Sequence, residues 1–253
     1  MGFGNREDIV KRGDCHIGTS GWHYNDWLGP FYPDDIHAKD FLTFYADHFK
    51  TVEINNSFYH LPKRETFEQW RVEGGKGFLF AVKASRYITH MKKLKDPEEG
   101  LSNFLDAADG LGKSLGPVLF QLPPRWHVNT ERLNNFLEKL PKDLRCAFEF
   151  RDETWFDEKV YKLLAEFNAA FCIYDLGGRE SPEKLTADYV YVRLHGPGGK
   201  YEGNYSVQKL KSWGKKFDKW MADGKDVYCY FDNDQKGYAV KNAITLIDII
   251  DGG

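Results

Sequence analysis

The sequence predicts a single (β/α)8 barrel of the TIM type. Three observations carry this: eight short apolar runs, amphipathic segments between them, and no break in composition along 253 residues. The runs fall at 15–20, 51–55, 78–83, 117–122, 145–150, 170–174, 189–195 and 226–231. Most are near-continuous stretches of β-branched and aromatic residues, the pattern of parallel strands covered on both faces. Helical spacing recurs between them, as in Leu42, Tyr45 and Phe49, or Leu133, Phe136, Leu137 and Leu140. Helices are accordingly expected over 39–49, 64–72, 101–111, 131–140, 160–167, 207–221 and 238–250, with Thr130 as the N-cap of the fourth. With no linker, one domain is expected across residues 1–253, its core at about 15–250. The sixth unit is the weak one. Only 175–188 separates strands six and seven, so a short or irregular crossover is expected there. A doubly wound open sheet is the competing architecture, but no glycine-rich phosphate fingerprint follows the first run.

Composition narrows the function classes. The 35 basic and 38 acidic residues nearly balance at a net charge of -3, so there is no global footprint for nucleic acid or an anionic membrane. The chain is 16% aromatic, with seven Trp, fourteen Tyr and nineteen Phe, more than most cores need and suited to stacking on sugars or bases. No run of about 18 apolar residues is present, and the polar start has no apolar h-region, so a cytoplasmic protein without a membrane span is expected. Cys15, Cys146, Cys172 and Cys229 each sit in an apolar run without CxxC or zinc-ligand spacing, and read as buried reduced thiols.

In such a barrel the site forms at the carboxyl ends of the strands. Those ends are polar here: Glu53 and Asn55, Lys83, Gln121, Glu149 and Arg151, Tyr174 and Asp175, Arg193 and His195, then Asp232, Asn233 and Asp234. Residues two apart on a strand share a face, so Glu53 with Asn55, Glu149 with Arg151, and Arg193 with His195 project into one mouth. Carboxylates among cations and a histidine suit acid–base chemistry, with Glu149 or Glu53 as acid or base and His195 as proton carrier. Arg151, Arg193 and Lys83 form a candidate clamp for phosphate or carboxylate, and Asn55, Asn233, Trp22, Tyr24 and Tyr59 are candidate binding residues. The bland alternative is a set of satisfied internal ion pairs, and much of the aromatic set (Trp22, Tyr24, Trp27, Phe58, Tyr59, Trp155) packing under loops. His23, His90 and His127 read as exposed loop histidines. The stretch 84–100 is long and basic, a solvated loop or an anion-binding lid.

No cofactor is expected. Glu53, Glu149, His195 and Asp232 could hold Mg, Mn or Zn, but the adjacent arginines compete for those carboxylates, and a metal is the lesser reading.

Several motifs together resemble the DUF72, or YecE-like, family. They are Gly18 to Trp22 with Tyr24 and Trp27; Val52 to Asn55 with Ser57 and Tyr59; Phe80 to Lys83 with His90; Glu149 to Arg151 with Trp155; Val192 to Gly196; and Asn233 with Gly237, Asn242 and Ala243. The resemblance runs from about Cys15 to Ile250. It implies a TIM-barrel-like fold, carries no established activity, and its recurrent residues fall on Glu53, Asn55, Lys83, Glu149, Arg151, Arg193, His195 and Asn233. Where many members have Asn-Asn, this chain reads Asp232-Asn233-Asp234, which favours a cation there or a cap for the last helix.

The expectation is a barrel hydrolase, lyase or isomerase acting on a small anionic, sugar-like substrate in an aromatic-lined pocket. The alternatives are a nucleic-acid-binding or nucleic-acid-processing barrel, in which aromatics and the basic loop hold single strands, and a non-catalytic metabolite-binding protein.

Overall fold

The computed structural model describes residues 11–199 and 201–252; the polar start of the chain lies outside them. Its strands are β1 (Cys15–Thr19), β2 (Thr51–Ile54), β3 (Leu79–Lys83), β4 (Leu115–Gln121), β5 (Cys146–Glu149), β6 (Ala170–Leu176), β7 (Arg179–Glu180), β8 (Tyr189–Leu194) and β9 (Asp226–Phe231). Hydrogen-bonded neighbours run β1-β9-β8-β6-β5-β4-β3-β2, while the short β7 hairpins back onto β6. Every pairing along that path is parallel. The ring is drawn shut between β1 and β2 by a single parallel bridge, Ser20 to Glu53, with Gly21 N donating to Glu53 O at 2.8 Å. Each of the eight runs read from the sequence overlaps one of the eight barrel strands.

The seam between β1 and β2 explains two residues. A Cβ on Gly18 would sit 2.2 Å from the Thr51 carbonyl oxygen, so the strands approach this closely only because residue 18 has no side chain. Tyr45, from the helix between these strands, stitches them: its hydroxyl accepts from Thr19 N at 2.9 Å and lies 3.2 Å from Thr51 O, to which it donates.

The outer helices are α1 (Phe41–His48), α2 (Arg64–Gly74), α3 (Glu98–Ala108), α4 (Thr130–Leu137), α5 (Glu158–Glu166), α6 (Val207–Ala222) and α7 (Tyr238–Asp251). Thr130 is the first residue of α4 rather than its cap. Asn129 caps instead, its side chain accepting from Arg132 N at 2.8 Å. No helix forms between β6 and β8. Gly177 and Gly178, both at positive φ, turn the chain into the β7 hairpin, and the stretch that remains is too short to cross back as a helix.

The aromatic surplus is mostly packing. Trp27, Trp155, Trp213 and Trp220 are fully buried between strands and helices. Inside the ring one cluster joins Tyr189, Tyr191, Tyr228 and Tyr230 of β8 and β9 to smaller side chains, Ala170 and Cys172 of the adjacent β6 and Ala81, Leu119 and Ala147 of β3, β4 and β5. All four cysteines lie in strands and are unpaired. Among the described residues no helix is long and apolar enough to cross a membrane.

Candidate active site at the carboxyl ends of the strands

The strand parity that points Tyr191 into the barrel also points Arg193 and His195 there, at the upper end of β8. Arg193 is 1% exposed and sits at the centre of three carboxylates. Its Nε donates to Glu53 Oε2 at 3.0 Å, and its Nη2 to Glu53 Oε1 at 2.7 Å, to Asp232 Oδ2 at 3.0 Å and to Ser20 Oγ at 2.9 Å. Nη1 donates to Glu149 Oε2 at 2.9 Å. Glu53 also accepts from Ser20 and, at 2.7 Å, from the Tyr191 hydroxyl. Ser20 thus closes the barrel by backbone and holds Glu53 by side chain; Asn55 in turn donates to Ser20 Oγ.

A second layer lies above. Arg151 contacts Glu149 Oε1, donates to His195 Nε2 at 3.0 Å, and stacks over Tyr174 at 5.1 Å. An arginine has only donors, so Nε2 is the accepting nitrogen and the ring proton is on Nδ1, donated to Asp232 Oδ2 at 2.9 Å. Glu149 Oε1 lies 3.7 Å from the same Nε2. Tyr201 donates its backbone N–H to His195 O at 2.8 Å and lays its ring 5.7 Å from the imidazole.

The charges fix the ionisation of this cluster. Burial alone would raise the Glu149 carboxyl; Arg151 and Arg193 outweigh it and hold Glu149 well below the ordinary carboxylate range. Asp232 is likewise lowered, burial being overcome by Arg193, His195 and Lys83. Lys83 goes the other way. Burial, reinforced by Arg193, brings it down to about 8 against the pull of Glu149, Asp232 and Glu53.

Five predicted residues, Glu53, Glu149, Arg151, Arg193 and His195, therefore form one interlocked network, with Asn55 attached through Ser20. Lys83 stands beside it, its Nζ 4.5 Å from the Phe58 ring centroid. Asn233 is buried one step away, donating to Gly203 O at 2.8 Å and Asn242 Oδ1 at 2.9 Å. The predicted aromatics are scattered. Trp22 packs edge-on against Trp70 of α2, Tyr24 donates to Ser20 O at 2.6 Å, and Tyr59 is 72% exposed at the rim. His90, expected to be exposed, is half-buried against Phe58, and burial with Lys83 and Arg86 nearby lowers it to about 4. The basic stretch after β3 is folded rather than free: it forms a π-helical turn, Tyr87–Met91, with Ile88 and Thr89 buried. Asp232 and Asp234 do not cap α7, whose N-cap is Gly237; the cation that Asp232 meets is Arg193.

Sequence reasoning missed Ser20, Tyr191 and Tyr201. Tyr191 was open to the same parity argument, two residues before Arg193. Several buried polar atoms of the mouth have no hydrogen-bond partner among the described residues: Asn55 Oδ1, Gln121 Oε1, Arg151 Nε and Asn233 Oδ1. Natural interiors rarely leave such atoms unmatched, and their concentration here marks the surface a ligand or water would satisfy.

Comparison with known proteins gives one consistent relationship. The family model described as "Protein of unknown function DUF72" matches residues 16–252. The UPF0759 protein YunF of Bacillus subtilis is 28% identical over 93% of this chain and 94% of its own length. The UPF0759 protein YecE of Escherichia coli is 29% identical over 56% of this chain and 50% of its own. A crystal structure of a DUF72 family protein from Thermotoga maritima superposes with a TM-score of 0.84 at 28% identity, covering 94% of this chain and 99% of that one. A second, from Enterococcus faecalis, has a TM-score of 0.80 at 20% identity, over 94% and 95% of the two chains, and bears on the fold.

Proposed function

Starting from the premise that this chain belongs to the DUF72 family, we propose that it is a barrel enzyme carrying out acid–base chemistry on a small anionic, sugar-like substrate. One observation carries the reading: unpartnered polar atoms of Asn55, Gln121 and Arg151, at or just past the carboxyl ends of β2, β4 and β5, accompany a buried network of fixed charge. Stability does not call for such an arrangement, since buried charges are costly to desolvate and unmatched donors and acceptors add to that cost.

The geometry favours a division of roles. Both oxygens of Glu53 are taken by Arg193, Ser20 and Tyr191, so its part is to fix Arg193. Arg193 is engaged on all three nitrogens, which leaves Arg151 as the group for the substrate's phosphate or carboxylate, with Lys83 beside it. Glu149, held strongly acidic, is a weak base, and better suited to steadying positive charge. His195, oriented by Asp232 through Nδ1, is the proton carrier once an anion draws Arg151 off Nε2. The test is a melting-temperature panel of sugar phosphates and sugar acids. A ligand at a hundredfold its Kd stabilises by roughly 2.7 kcal/mol, a shift of several degrees in wild type that Arg151→Met should lose. If no anion shifts the wild type, the reading fails.

A second reading has its own support at the rim. Tyr59, Tyr87 and Met91 are exposed, and Lys92 lies over the Tyr87 ring, the pairing of ring and cation that holds single strands. Binding to oligonucleotides with a steep salt slope would favour it.

A further inference from the structure

Lys83 ends β3 inside the mouth, yet no described residue accepts a hydrogen bond from its Nζ. The side chain is 9% exposed. The strands on either side of β3 each bring an unpartnered amide oxygen, Asn55 Oδ1 beyond β2 and Gln121 Oε1 on β4. Around Lys83 the charged groups are Arg193 on β8, Glu149 on β5, Glu53 on β2 and Asp232 after β9, with His90 and Arg86 from the turn that follows β3. His90 is pushed down to about 4 by burial, Lys83 and Arg86, so it adds no second positive charge near neutrality. A desolvated lysine beside an arginine, with no carboxylate holding its nitrogen, is placed as a nucleophile rather than as half of an ion pair.

We propose that Lys83 forms an imine with the carbonyl carbon of an anionic open-chain oxo compound, a sugar phosphate or a 2-oxo acid, a step that rests on the anionic-substrate reading above. Unprotonated Nζ adds to the carbonyl carbon. Its two protons leave with the carbonyl oxygen as one water, C=N replaces C=O, and nothing is oxidised or reduced. Arg151 Nε is free to take the anionic group, and the amide oxygens of Asn55 and Gln121 are free to accept from substrate hydroxyls. The lowered pKa of Lys83, about 8, supplies free amine where an ordinary lysine would be protonated.

The experiment is reductive trapping on the full chain. Protein is incubated with glyceraldehyde 3-phosphate, pyruvate or uncharged glyceraldehyde, reduced with borohydride, which delivers hydride to the imine carbon, and mapped by peptide mass spectrometry. Near neutral pH Lys83 should be labelled more than about tenfold faster than other lysines, because ordinary lysines are more than 99% protonated there. The pH midpoint of its labelling should lie near 8, and glyceraldehyde 3-phosphate should outpace glyceraldehyde. Lys83→Arg should abolish the adduct. Labelling of Lys83 no faster than surface lysines overturns the proposal on the wild type alone, whatever the variant's folding. If that occurs while 6-phosphogluconate, which has no carbonyl to condense, still raises the melting temperature, the imine falls and the anionic-substrate reading stands. Equal labelling of Lys83 by glyceraldehyde and its phosphate would leave the imine standing and remove the anion.

Discussion

Both ends of the barrel hold an arginine among tyrosines, and they treat its charge differently. At the amino ends of the strands, Arg145 donates to Asp226 at 2.7 Å and to the Tyr228 hydroxyl at 2.6 Å, its guanidinium 5.0 Å from the Tyr189 ring centroid. The pair is 39% and 24% exposed, and Arg145 borders a cleft of about 630 Å³ lined also by Tyr228, Leu79 and Leu115. At the carboxyl ends, Arg193 is 1% exposed and meets three carboxylates, two of them without solvent contact. One end has a single ion pair within reach of water. The other confines a whole set of charges and still leaves hydrogen-bonding atoms unmatched. A site that only stabilised the fold would resemble the first; the excess at the second is what binding or chemistry requires.

Three experiments press on this contrast, the largest effect first. Arg193→Met strands the carboxylates of Glu53, Glu149 and Asp232 without their shared cation, and should cost about 3–5 kcal/mol in urea denaturation. A loss below 1 kcal/mol would mean that the network is far better solvated than its burial implies. Next, Glu149→Gln tests the ionisation. A carboxyl held below its unfolded value stabilises the fold fully above that value, and loses the contribution as pH falls toward the folded one. Since Glu149 is lowered well below 4.5, the wild-type advantage over Glu149→Gln should be constant from pH 7 to about 5 and shrink by up to about 1.4 kcal/mol for each unit below that. An advantage that does not change with acidification would contradict the pairing. Smallest is Arg145→Met, where exposure and screening limit the loss to about 1 kcal/mol, diminishing with added salt.

Much of this was legible in the sequence, for reasons tied to particular residues. The apolar runs fix the strands, and a two-residue repeat fixes which side chains share a face, so Glu149 with Arg151 and Arg193 with His195 follow from strand geometry. Which acceptor each arginine nitrogen takes depends on the stagger of the ring, which no local pattern encodes; hence Ser20 went unread. Loop aromatics were the least legible. Trp22 looks like a binding residue in sequence, but its partner, Trp70, lies on a helix nearly fifty residues away, and only the packed structure brings them together.

The bridge from Ser20 to Glu53 also orders events during folding. β1 pairs with β9, so the first and last strands of the chain must meet before the ring is complete, and that long-range closure is the slow, entropically costly part of assembly. Until β1 is seated between β9 and β2, Ser20 is not at hand for Glu53, and until β9 arrives Arg193 has no Asp232. A nascent chain released or cleaved before residue 226 would keep Glu53, Glu149 and Arg193 but lack Asp232, the carboxylate that accepts from both Arg193 and His195.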